Sequence, residues 1–273
     1  MPNIDECAEL GETVAREAGR ILLESFRTDF AIEHKGTVNL VTEVDLAAEA
    51  WIVSRILKAF PSHSILAEEK HSSEPAGDVR WVIDPLDGTT NYAHGYPVFC
   101  VSIGLEVDGE LQWGAVFDPI RDELYMARRG GGSFCNGVPL HVSNVAVLDA
   151  GLIATGFPYD IRTDNQTNLE NFCAFALRTQ GLRRSGSAAL DFCGVAAGHL
   201  DGFWELKLNP WDCAAGYLMV REAGGMVTNF RGRSGSIYDR EVVASNKRIH
   251  GELLAVLEMT EKRIRDSRFE IRN

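Results

Sequence analysis

Apolar residues recur at helical spacing from the start of the chain. Cys7, Leu10, Val14, Ala18, Ile21 and Leu22 follow Asn3, an N-cap with Glu6 three residues on, and predict a helix from about Ile4 to Phe26. A second helix is predicted from about Glu43 to Phe60, capped by Thr42 and stopped by Pro61. The pattern then shortens. Ser64–Ala67 and Arg80–Ile83 read as buried strands that end on acidic residues, Glu68-Glu69 and Asp84. Alternation on both sides of Asp108-Gly109 predicts a hairpin over Val98–Phe117, and Glu123–Arg128 a further strand.

Beyond residue 140 helices and strands alternate. Helices are predicted over Asn168–Thr179, Ala188–Gly198, Trp211–Ala223 and Arg248–Arg265, with strands near Arg183, over Gly202–Leu206, and near Val227 and Val242. The expected organisation is an α+β half over 1–140 and an α/β half over 141–273, stacked in alternating helix and sheet layers as one compact unit. Gly130-Gly131-Gly132 lacks the spacing of a phosphate loop and reads as a turn.

Composition narrows the function. The 273 residues carry 39 acidic and 27 basic side chains, a net charge of -12, which argues against broad nucleic-acid or anionic-membrane binding. No apolar run spans a bilayer and the amino terminus has no signal-like pattern, so a cytoplasmic location is expected. The six cysteines are scattered and read as buried thiols. Neither H-E-x-x-H nor G-x-S-x-G occurs, which leaves zincin and serine-hydrolase chemistry without a foothold.

The chemistry concentrates in Trp81-Val82-Ile83-Asp84-Pro85-Leu86-Asp87-Gly88-Thr89-Thr90-Asn91. A buried strand delivers Asp84, Pro85 bends the chain, and Asp87 returns three residues later, so two carboxylates and the Leu86 carbonyl can converge on a hard cation such as Mg²⁺. Gly88 permits close backbone approach to an anion, and a helix opening at Thr89 would offer free N–H groups to a phosphate. Taken singly, Asp-Pro and Asp-Gly are ordinary turn dipeptides, Glu69 a solvated neighbour, Thr42 with Asp45 a helix-start pair, and Asp212 a residue that complements a helix dipole.

Together these segments resemble the inositol monophosphatase family, within a superclass of Mg²⁺-dependent and often Li⁺-sensitive phosphomonoesterases. The likeness rests on Glu68-Glu69, Asp84–Asn91 and Trp211-Asp212-Cys213-Ala214-Ala215-Gly216, with Lys35–Asp45 and Gly186-Ser187-Ala188-Ala189 in support. It covers nearly the whole chain in order, and departs from the usual pattern at Cys213, where a small aliphatic residue is common. The resemblance implies a layered α-β-α-β-α sandwich of the sugar-phosphatase type and a homodimer. It also implies two to three Mg²⁺ ions, the first held by Glu68, Asp84 and the Leu86 carbonyl, the second by Asp84, Asp87 and Asp212, with Glu68 helping a weaker third. Gly88 and Thr89 would bind phosphate, Thr89 and Asp45 would orient or deprotonate the attacking water, and Lys35 would lie near that water and the phosphate. Asp87, Ser187, Ala188 and Glu205 would bind the substrate. The expected activity is hydrolysis of a small polyol phosphate monoester, above all inositol 1-phosphate, by metal-activated water. The same ligands serve phosphatases of fructose 1,6-bisphosphate, 3'-phosphoadenosine 5'-phosphate and histidinol phosphate. A rival from another class is a regulatory binding protein without turnover, which the full set of carboxylates disfavours.

Overall fold

The computed structural model describes residues 3–29, 31–34, 40–72 and 78–270. Helix α1 (Ile4–Ser25) starts where Asn3 accepts the Asp5 N–H, and it buries Cys7, Val14, Ala18 and Leu22. Strands β1 (Ile32–His34) and β2 (Leu40–Thr42) form a small antiparallel ribbon that leads into α2 (Glu43–Ala59). A seven-stranded sheet follows: β3 (Ser64–Ala67), β4 (Val79–Asp87), β5 (Cys100–Val107), β6 (Glu110–Asp118), β7 (Glu123–Arg128), β8 (Gly132–Cys135) and β9 (Val138–Pro139). The strands lie in sequence order, and only the β3–β4 pair is parallel. The predicted hairpin is β5–β6, turned at Asp108 and Gly109, both with positive φ as its tight turn requires. Gly130 and Gly132, also at positive φ, make the turn into β8.

The period of two along the strands builds two cores at once. Trp81, Ile83, Ile103, Leu105 and Phe117 face α1 and α2, whereas Val82, Cys100 and Val116 belong to a core shared with α5 (Ala188–Ala196) and α6 (Pro210–Glu222). Helix α6 lies unusually close to the sheet: a β-carbon on Gly104 would stand 2.6 Å from that of Ala214, and one on Gly114 2.8 Å from the Ala215 backbone. On its other side Gly216 meets the Phe192 ring of α5. The small-residue run Cys213-Ala214-Ala215-Gly216 therefore has a packing reason.

A second, mixed sheet takes the order β11 (Gly181–Arg183), β10 (Leu152–Thr155), β12 (Gly202–Leu206), β14 (Glu241–Ser245), β13 (Met226–Thr228). Helices α4 (Leu169–Ala176) and α7 (His250–Glu270) cover its outer face through Phe175, Trp204, Val243 and Leu253. The result is the expected α-β-α-β-α stack. In this sheet β14 runs antiparallel to both its neighbours, and no helix lies between β13 and β14. Among the described residues no helix is long and apolar enough to cross a membrane.

Candidate active site

Strand alternation puts Asp84 on the same face as Val82, toward α5 and α6, and leaves it only 1% exposed. Its Oδ1 accepts the Leu86 N–H at 3.0 Å, which shapes the turn around Pro85. Burial first, and then the charges of Glu68, Asp87 and Asp212, hold the Asp84 carboxyl well above the usual carboxylate range. Glu68 follows β3 directly, and its N–H donates to the Ile83 carbonyl at 3.2 Å beside Asp84. Asp212 reaches the same place from the first turn of α6, where it also closes a capping box by accepting the Asn209 N–H at 2.7 Å. Burial and then Glu68 raise its pKa in turn. The helix-start reading of Asp212 is met, and its carboxylate lies beside Glu68 as well.

Asp87 is held from the second half of the chain. Its Oδ2 accepts the Ser187 hydroxyl at 2.6 Å and the Ala189 N–H at 2.7 Å, both at the start of α5. Burial raises its pKa while these bonds oppose the rise. Gly88 follows at φ +95°, and a side chain there would strike the Val98 carbonyl, so glycine is required. It caps α3 (Thr89–Ala93), the short helix the sequence allowed for. The Thr89 hydroxyl lies 3.1 Å from the Leu86 carbonyl and 3.2 Å from Asp45 Oδ1. Asp45 is fully buried, closes the capping box with Thr42, and has its pKa raised by burial. Lys35 lies outside the described residues.

A cavity of about 230 Å³ opens at Asp87 and Asp212 and is lined also by Tyr159, Ser187, Ala188 and Glu205. Glu205 on β12 sits flat against Gly156, where a β-carbon would stand 2.0 Å from its Oε1. Burial holds its carboxyl well above the ordinary value, and the nearby Arg184 guanidinium opposes that rise. Arg184 and Tyr159 also line the cavity, although nothing in their sequence neighbourhood singles them out. A larger groove of about 330 Å³ runs beside α1 past Ala8, Trp113, Met126 and Phe134, but none of the site carboxylates lines it.

Among the described residues no three His, Cys, Asp or Glu side chains are drawn into a ready ligand cage. Asp84, Asp87 and Asp212 are each kept in place by a backbone N–H, and among the described residues no basic side chain forms an ion pair with them. An all-oxygen set of carboxylates that converges around the buried Asp84 fits a hard divalent cation.

A model of the inositol monophosphatase family matches residues 3–262. The chain is 44% identical over 246 residues to the Nus factor SuhB of Salmonella typhimurium, covering 88% of this chain and 91% of that protein. It is 47% identical over 234 residues to an inositol-1-monophosphatase of Synechocystis, covering 84% and 80% respectively. The solved inositol monophosphatase of Anabaena superposes with a TM-score of 0.86 at 40% identity, over 94% of this chain and 97% of that one.

Proposed function

The chain belongs to the inositol monophosphatase family of phosphomonoesterases, and from that premise we propose that it carries out Mg²⁺-dependent hydrolysis of a small polyol monophosphate, inositol 1-phosphate above all. The observation that carries this reading is one cavity shared by Asp87 and Asp212 on one side and Glu205 on the other. At its Asp87 and Asp212 end, these two residues with Glu68, Asp84 and the Leu86 carbonyl would hold two to three Mg²⁺ ions. Bound there, the ions supply charge neutralisation for the phosphate dianion and an acidified water. First-turn N–H groups of α3, which no carbonyl of that helix can reach, would orient the phosphate at Gly88 and Thr89. Thr89 Oγ1, 3.2 Å from Asp45 Oδ1, would take a proton from the attacking water as it passes its own to that carboxylate. Burial makes Asp45 a stronger base than an exposed aspartate, which suits it to hold that proton. Glu205 would accept hydroxyl protons of the polyol and fix the ester bond relative to these groups.

Phosphate release from inositol 1-phosphate, fructose 1,6-bisphosphate, 3'-phosphoadenosine 5'-phosphate and histidinol phosphate, each with Mg²⁺ and with EDTA, tests the reading. The expected result is the highest kcat/KM on inositol 1-phosphate and none of these activities in EDTA. Turnover that survives EDTA, or preference for another substrate, overturns it. A cytoplasmic homodimer belongs to the same reading, and light scattering on the purified protein measures the dimer.

The identity with a protein named as a Nus factor supports a second reading, in which the chain also acts as a Nus factor. Complementation of the Salmonella relative's loss by an Asp84→Asn variant would separate that role from hydrolysis.

A further inference from the structure

The turn that carries Glu68 is wrapped around a buried carboxylate that the reaction does not use. Glu49 stands one helical turn beyond Asp45 on α2 and is 1% exposed. Its Oε2 accepts the Glu69 N–H at 2.7 Å, and its Oε1 accepts the N–H groups of Lys70 at 2.8 Å and His71 at 3.0 Å. The Nδ1 of His71 lies 2.8 Å from the same Oε1. A charge buried at this depth persists only when it is fully hydrogen-bonded, and here three consecutive backbone donors and a ring nitrogen supply the bonds. The turn is closed behind them, since the Ala67 N–H donates to the His71 carbonyl at 2.9 Å and the Ser72 hydroxyl to the Ala67 carbonyl at 3.3 Å. Glu68 is thus fixed on one side by β4 through its own N–H, and on the other by Glu49 through its next three neighbours.

We infer that Glu49 is a positioning residue for the centre: by gripping the amides of residues 69–71 it presets the Glu68 carboxylate toward Asp84 and Asp212 before any ion arrives. One face of α2 then indexes both ends of the site, with Asp45 at the Thr89 hydroxyl and Glu49, four residues on, at the Glu68 turn. The inference rests on the reading of Glu68 as a ligand, and its test keeps the two apart.

Amide hydrogen exchange and Mg²⁺ titration calorimetry on the full chain decide it. In the metal-free wild type the amides of Glu69, Lys70 and His71 are expected to be protected already. Glu49→Gln turns an NH₂ against one of these donors; exchange at the three amides should then quicken, and the Mg²⁺ Kd should rise about tenfold or more. His71→Ala leaves the three backbone bonds in place and should keep that Kd within about threefold. An unchanged Kd in Glu49→Gln overturns the inference, as does protection that arises in the wild type only after Mg²⁺ is added. The wild-type exchange decides the matter even if Glu49→Gln does not fold. A wild type that binds no Mg²⁺ removes the ligand reading itself, and the inference with it.

Discussion

Single side chains separate the roles proposed for the site. In the proposed centre Asp84 would serve both ions, so Asp84→Asn, which offers a neutral oxygen in place of a shared anion, should lower kcat by about a thousandfold at any Mg²⁺ concentration. Near wild-type phosphate release in that variant would remove it from the metal centre. If Glu205 binds the alcohol as proposed, Glu205→Ala should cut kcat/KM for inositol 1-phosphate about tenfold or more, through the loss of roughly 1.5–3 kcal/mol of charge-assisted hydrogen bonding, and spare p-nitrophenyl phosphate. Gly156→Ala should mimic it, since the added methyl would occupy the space of the Glu205 carboxylate. Equal losses on both substrates would place Glu205 at the metals instead.

At the scale of elements, what could be read in advance follows from how local each signal is. The Thr42 cap, the Asp108-Gly109 turn and the strand that delivers Asp84 depend on neighbours within a few residues, and all were legible. The grip of Ser187 and Ala189 on Asp87 spans about a hundred residues of chain and has no periodic trace. Nor has the cradle of Glu49, which reads in sequence as one more acidic residue on an amphipathic helix. Gly104 and Gly114 look like poor strand formers until the closeness of α6 explains them.

The start of α7 supplies an element-scale prediction. His250 is buried between Thr228 and Ser245: Thr228 Oγ1 donates to the Asn229 carbonyl, so it can accept from His250 Nε2, and Ser245 Oγ can donate to Nδ1. A second ring proton would face a donor, and burial lowers the His250 pKa from 6.5 to about 4. The stability tied to the neutral ring is fully present above pH 6.5 and lost as pH falls toward 4, about 2 kcal/mol by pH 5. Denaturant titrations should register this loss, and His250→Gln should flatten it. An equal acid response in both proteins would assign it elsewhere.

For the whole molecule, Asp84 and Asp212 lie within the field of neighbouring carboxylates, so the folded state works against their repulsion. Mg²⁺ at a hundred times its Kd should add about 2.7 kcal/mol and raise Tm by roughly 5–10 °C, an effect that EDTA reverses. Asp212→Asn should raise the metal-free Tm and shrink the response to Mg²⁺, because Asn keeps an oxygen for the Asn209 N–H while it removes a charge. A lower metal-free Tm with an unchanged response would make Asp212 a helix cap alone.

The seating of α6 against Gly104 and Gly114 also has a consequence in time. Asp212 leaves the ribosome about 125 residues after Asp87, some 6–25 s later at roughly 5–20 residues per second. Once Pro139 is out the first sheet can pair its strands, yet until α5 and then α6 follow, the face with Val82 and Val116 lacks the helices that cover it. The newborn chain is therefore most open to clumping between the emergence of Pro139 and that of Glu222, and the pace of translation across that stretch bears on how much of it matures.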